Sequence, residues 1–143
     1  MTQVNRSALV LHSAQQMFDI VNDVKAYPDF LPWCASTELL CEDDQSMEAT
    51  LHLAKAGLKY SFTTLNRLSR PDRIEIELVE GPFSRLTGVW TFEALNSEAC
   101  KVSLDLVFEF SGKLTGMAMS KVFNQVATTL VDAFVQRAER VYG

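Results

Sequence analysis

The feature that most limits how this chain can fold is a long stretch of two-residue periodicity interrupted only by short breaks. Between Thr37 and Phe110, Met47, Ala49, Leu51 and Leu53 alternate with Glu48, Thr50 and His52, and Leu58, Tyr60 and Phe62 alternate with Lys59, Ser61 and Thr63. Ile74, Ile76 and Leu78 then alternate with Glu75 and Glu77, and Val102, Leu104, Leu106, Phe108 and Phe110 with Lys101, Ser103, Asp105 and Glu109. One face dry and one face wet is the pattern of a half-buried antiparallel sheet. The breaks are Glu42–Ser46, Lys55–Gly57, Ser69–Asp72, Gly81–Ser84 and Asn96–Glu98, none longer than five residues. A parallel crossover needs about a dozen residues or more, so successive strands must return as hairpins and build a meander.

Helical patterns flank this sheet. Val4 to Leu11 reads as a first strand, and Ser13 stands three residues before Gln16, the spacing of a capping box. Met17, Ile20, Val21 and Val24 follow as one apolar stripe. Pro28 restricts Tyr27 to extended backbone, which predicts that this helix stops near Lys25 or Ala26. After Gly112 the period becomes helical to the end of the chain. Met119, Val122, Phe123, Val126, Ala127, Leu130, Val131, Ala133, Phe134, Ala138 and Val141 fill one half of the cylinder. That arc is roughly 180° wide, against the ~100° of an ordinary surface helix. From Leu114 to Tyr142 the helix would be about 43 Å long, against a radius of gyration of about 15 Å for a chain of this length. It can only lie along the sheet. The expected class is α+β, a curved antiparallel sheet of about six or seven strands wrapped around a long C-terminal helix, with a helical insertion after strand 1.

The 143 residues are read as one domain, 1–143, large enough to fold on an apolar core alone. A net charge of −5 argues against a protein that coats DNA or anionic lipid. No apolar stretch reaches the ~18 residues of a membrane span, which leaves only transient contact with a membrane surface. The start of the chain lacks the charged and apolar blocks of a signal peptide. Cys34, Cys41 and Cys100 are odd in number and without close pairing, as reduced thiols of a cytoplasmic protein would be. Two histidines, His12 and His52, have no nucleophile elbow, metal-ligand spacing or phosphate loop around them. No catalytic residue, metal ligand or cofactor site is expected, and the chain is read as not being an enzyme.

Three groups of residues remain. Phe62, Trp90, Phe92 and Phe108 face the helix residues Phe123, Val126 and Leu130, and these either pack solid or enclose a cavity for a hydrophobic small molecule. Arg137, at the centre of the apolar arc, must meet an acceptor, because an unpaired buried charge is costly. That acceptor is either a sheet carboxylate such as Glu109 or a ligand oxygen at a cavity mouth. Tyr27, Phe30 and Trp33 sit on one proline-bounded segment, either as a plug of the core edge or as a lid. Finally, Lys55, Lys59, Arg67, Arg70 and Arg73 against Asp72 give a local sum of +4 inside an acidic chain. Solvated strand faces produce such runs, and so does a surface that docks on RNA phosphates.

The segment Asp23-Val-x-x-Tyr27-Pro-x-Phe-Leu-Pro-Trp-Cys34, with Lys55-Ala-Gly57, Gly81-Pro-Phe83, Leu86-x-Gly88-x-Trp90-x-Phe92 and Asp105-x-x-Phe-Glu-Phe110, resembles one subfamily. It is the coenzyme Q-binding and ribosome association toxin group of the START-like, polyketide cyclase-related superfamily, and the likeness runs through essentially the whole chain. The resemblance implies a helix-grip fold and two functions. One is binding of ubiquinone or a related polyprenyl lipid in support of respiration, with ubiquinone as a bound ligand and no other cofactor. The alternative is binding of the large ribosomal subunit so that subunits fail to join.

Overall fold

The structure is a computed structural model that describes residues 1–112 and 114–143. The elements are β1 (Thr2–Val10), α1 (Ala14–Asn22), a 3-10 turn (Val24–Ala26) and α2 (Tyr27–Phe30). There follow β2 (Cys34–Glu42), β3 (Ser46–Lys55), β4 (Leu58–Ser69), β5 (Arg73–Glu80), β6 (Phe83–Asn96), β7 (Ala99–Phe110) and α3 (Leu114–Tyr142). The seven strands form one sheet in the order β1-β7-β6-β5-β4-β3-β2, and every neighbouring pair is antiparallel. This is the α+β helix grip that alternation and short breaks predict.

Each break closes the hairpin expected of it. Between β3 and β4, Lys55 pairs with Leu58 across Ala56 and Gly57. Both turn residues have positive φ, 54° and 80°, the backbone twist that suits a two-residue hairpin. The first strand behaves differently. Because α1 and α2 carry the chain across the molecule, β1 joins the far edge beside β7, with Val4 opposite Leu106.

The capping box opens α1 as its spacing predicts. Ser13 Oγ accepts from the Gln16 N–H at 3.1 Å, and Gln16 Oε1 accepts from the Ser13 N–H at 2.9 Å. The end of this helix departs from expectation. α1 stops at Asn22, and Tyr27 is helical, with φ −51° and ψ −45°. Pro28 lies in the first turn of the new helix α2, where a missing N–H costs no hydrogen bond and the fixed φ of proline suits the helix. The Tyr27 hydroxyl donates to the Val21 carbonyl and so ties α2 back to α1.

In α3 the residues Val122, Phe123, Val126, Ala127, Val131, Phe134 and Ala138 are buried as the apolar arc predicts, whereas Val141, in the last turn, is exposed. The helix passes closest to β1, β7 and α1. Strands β3 to β5 curve around its other side, and that asymmetry sets up the site.

Candidate functional site

Large rings hold α3 off the sheet at two points. Near its start, Phe123 packs against Phe62, Phe83, Phe108 and Phe110 with ring centroids 4.8–5.9 Å apart. Eleven residues later, about 16 Å along the axis, Phe134 meets Tyr27, Phe30 and Trp90 at 5.3–5.6 Å. Between these two clusters the helix presents Val126 and Leu130, and the sheet presents Ala49, Thr64 and Asn66. Small residues between two sets of props leave a cavity of about 90 Å³. Its walls come from α3 on one side and β3 to β7 on the other, and Val21, Val24, Tyr27 and Trp33 close its end. Among the described residues no charged side chain lines it.

Of the residues expected to form this site, Trp33, Phe62, Trp90, Phe123, Val126 and Leu130 line the cavity. Phe92 and Phe108 do not. Phe92 is spent against Phe18 and Trp90, and Phe108 against Phe110 and Phe123, so their rings are core. Arg137 is also outside the lining, and among the described residues it forms no ion pair with Glu109. Its guanidinium lies 5.0 Å from the centroid of the Phe30 ring, a cation–π contact that leaves the charged end half in water. Sequence reasoning missed Thr64 and Asn66, although both share the inward phase of β4 with Tyr60, Phe62 and Leu68.

Filling the cavity is the direct test that it is a void. With Val126→Trp the indole is expected to occupy the space, so that uptake of a small apolar probe such as toluene disappears. The unfolding free energy in a urea titration should fall by no more than the ~1–3 kcal/mol of moderate overpacking. Misfolding would mean that the helix face is solid core.

Burial holds the tyrosine and thiol groups nearest the cavity in their neutral forms. Burial raises the Tyr27 hydroxyl well above the usual range, helped by the neighbouring Cys34 and Asp23, and pushes the Cys34 thiol up to about 11. Burial also raises the Cys100 thiol. Thiolate is the reactive form, so a thiol reagent at pH 8 is expected to modify exposed Cys41 quickly and spare Cys34 and Cys100. A thiol whose folded pKa exceeds its unfolded value ionises first in the unfolded chain, so stability is expected to decline as pH rises through ~9 toward 11. His52 lies on the outer face of the sheet, with Nε2 2.8 Å from Glu38 and Nδ1 2.5 Å from Ser61. It is on the opposite side of the sheet from the cavity.

The five cations of the expected basic surface do not come together. Lys55 and Lys59 flank the β3–β4 turn, while Arg67, Arg70 and Arg73 lie at the other end of β4. Eight residues of strand separate Lys59 from Arg67, about 26 Å. The arginines are also engaged: Arg67 with Glu77 at 2.9 Å, Arg73 with Glu75 at 3.0 Å, and Arg70 with Asp19 at 3.9 Å while lying over the Phe18 ring. The acids of β5, which lie just beyond Arg73 in sequence, are brought alongside β4 by the hairpin register and offset the local charge of +4.

The family model described as polyketide cyclase / dehydrase and lipid transport matches residues 10–135. A Pseudomonas aeruginosa protein named ribosome association toxin RatA is 48% identical over 142 residues, covering 99% of each chain. A Xenopus laevis protein named coenzyme Q-binding protein COQ10 homolog B, mitochondrial, is 27% identical over 145 residues, covering 99% of this chain and 59% of that one. Among solved structures, the Zhui aromatase/cyclase from Streptomyces sp. R1128 superposes with a TM-score of 0.80 at 22% identity, covering 97% of this chain and 94% of that one. The last likeness concerns the fold alone.

Proposed function

The chain belongs to the polyketide cyclase, dehydrase and lipid transport family, and on that premise we propose that it is a non-catalytic, cytoplasmic binding protein whose main partner is the large ribosomal subunit, where it opposes subunit joining. One observation carries this reading: the match, 48% identical over 99% of each chain, to a protein named a ribosome association toxin. The geometry favours one place for the contact. Lys55 and Lys59 are exposed on either side of a two-residue turn at the tip of a hairpin, and among the described residues neither forms an ion pair. The arginines at the other end of β4 already face carboxylates.

Co-sedimentation with purified large subunits tests both the partner and the place. Lys55→Glu with Lys59→Glu is expected to abolish binding at ~0.1 M salt, where the Debye length is about 10 Å. Arg67→Glu with Arg73→Glu should change it little. Two phosphate contacts predict that log K falls against log salt with a slope of about −1.4 to −1.8. Equal binding by the lysine variant and wild type would remove this hairpin from the account.

A second reading, uptake of a hydrophobic ligand such as ubiquinone or another polyprenyl lipid, is favoured by the uncharged cavity and by the relative named for coenzyme Q binding. At about 90 Å³ the cavity is far below the ~300–1,000 Å³ of ordinary ligand sites. A prenylated ring is larger than this space and enters only if the lining residues move apart. Native mass spectrometry of protein from a quinone-producing host tests this reading, which expects a near-stoichiometric prenyl lipid.

A further inference from the structure

We infer that Ser61 is a nucleophile on the outer face of the sheet, a covalent modification site that accepts a short, uncharged acyl group from an activated ester or thioester. This site lies on the opposite side of the sheet from the cavity and is independent of both functional readings. One transfer per chain leaves the binding role as it stands. Glu38 on β2, His52 on β3 and exposed Ser61 on β4 belong to three neighbouring strands. His52 is directly opposite Ser61 in register, whereas Glu38 is opposite Thr50 and reaches His52 on the diagonal. Glu38 Oε2 lies 2.8 Å from His52 Nε2, and Ser61 Oγ lies 2.5 Å from His52 Nδ1. A carboxylate only accepts, so the bond to Glu38 puts the ring proton on Nε2. Nδ1 keeps its lone pair, and the Ser61 hydroxyl donates to it. A hydroxyl is thus held by a base that a third group orients, the requirement for an activated serine.

Ser61 also has room beside it for a substrate. β5 ends at Glu80, which pairs with Thr63, so the sheet gives β4 no partner on that side from Phe62 back to Leu58. Alternate backbone N–H groups of this stretch point toward the side that β5 has vacated. Ser61, Thr50 and Thr63 line the groove that opens there, and Glu80, Gly81 and Pro82 form its far wall. Gly81 lets that wall pass close to β4, since a Cβ on it would lie 2.7 Å from Phe62 Cβ. The Thr50 and Thr63 hydroxyls share one hydrogen bond of 2.7 Å, which uses only one of their two protons. These N–H and hydroxyl groups are the donors available to an oxyanion forming at Ser61. The groove is open to water, so their help is smaller than in a closed site, and the acyl group must sit on a good leaving group. Glu38 and Glu80 beside the groove disfavour an anionic donor. In the transfer, Ser61 Oγ bonds to the acyl carbon, and the bond from that carbon to the aryloxide or thiolate breaks. The hydroxyl proton passes to His52 Nδ1 and then to the departing aryloxide or thiolate, which leaves a serine ester and a neutral His52.

Treatment of the full chain with p-nitrophenyl acetate, followed by peptide mapping, gives the rate of acetylation at each serine. Ser36 is the internal control, because it is exposed and opposite His52 on β2, yet the ring nitrogens bond to Glu38 and Ser61 instead. Ser61 is expected to react at least about tenfold faster than Ser36, within the ~10²–10⁴ that a positioned general base supplies. His52→Gln should bring Ser61 down to the Ser36 rate. Glu38→Gln should slow Ser61 as well, while nitrogen NMR of the His52 ring shows the proton no longer confined to Nε2. The Ser36 rate in both variants should match wild type, which separates loss of the relay from loss of the fold. The comparison of the two serines in wild type stands even if a variant folds poorly. Equal rates at Ser61 and Ser36 in wild type, or an unchanged Ser61 rate in either variant, overturn the inference. Glu38, His52 and Ser61 are then a cross-strand row that only holds the sheet together.

Discussion

Phe134→Ala is expected to cost about 3–5 kcal/mol of unfolding free energy, the range for truncating a buried aromatic ring. Phe134 is 1% exposed and touches three rings on two other elements, Tyr27 and Phe30 on α2 and Trp90 on β6. It is where the C-terminal helix, the insertion after strand 1 and the sheet meet, so truncation loosens all three together. For a chain of this length the melting temperature should fall on the order of 10 °C. Val141→Ala, on the exposed last turn of the same helix, should stay within about 0.5 kcal/mol of wild type. A small loss at Phe134 would mean that α2 contributes little to holding α3 in place.

Trp33→Ala decides between plug and lid, and a plug is expected. Trp33 is 7% exposed and lines the cavity, and its carbonyl accepts the Ala54 N–H, which fixes the segment against β3. The loss should again be about 3–5 kcal/mol, read by urea denaturation, with apolar probes admitted more easily through the widened end. A lid residue would instead change ligand affinity and leave the denaturation midpoint where it was.

The fold was largely legible because the signals that set it are local. Alternation marks the inner face of each strand, short breaks force hairpins, and a Ser–Gln pair three residues apart opens α1. The misreadings come from two sources, where a local element begins and which residues the fold brings together from far along the chain. Pro28 alone predicts an extended Tyr27, yet a helix beginning at that point accommodates the proline. Arg137 settles over Phe30, more than a hundred positions earlier in the chain, so no spacing rule could pair them. Arg67 finds Glu77 across the β4–β5 hairpin, which could have been written down once that turn was placed, and Arg73 pairs with Glu75 two residues on in its own strand. Asn66 could have been found in the same way, because the phase of β4 that carries Tyr60 and Phe62 inward carries Thr64 and Asn66 inward too. Whether inward rings pack or leave a gap was not legible. It depends on Phe123 and Phe134 both acting as props while Val126, Leu130 and Ala49 between them stay small, a property of the assembled layers rather than of any one segment.

The most direct test of the account is sedimentation of the purified chain through a sucrose gradient with separated large and small ribosomal subunits. The account predicts that the chain travels with the large subunit at ~0.1 M salt, leaves it as salt rises, and lowers the yield of joined particles when small subunits are added. A chain that stays at the top of the gradient with either subunit, even at low salt, contradicts ribosome association.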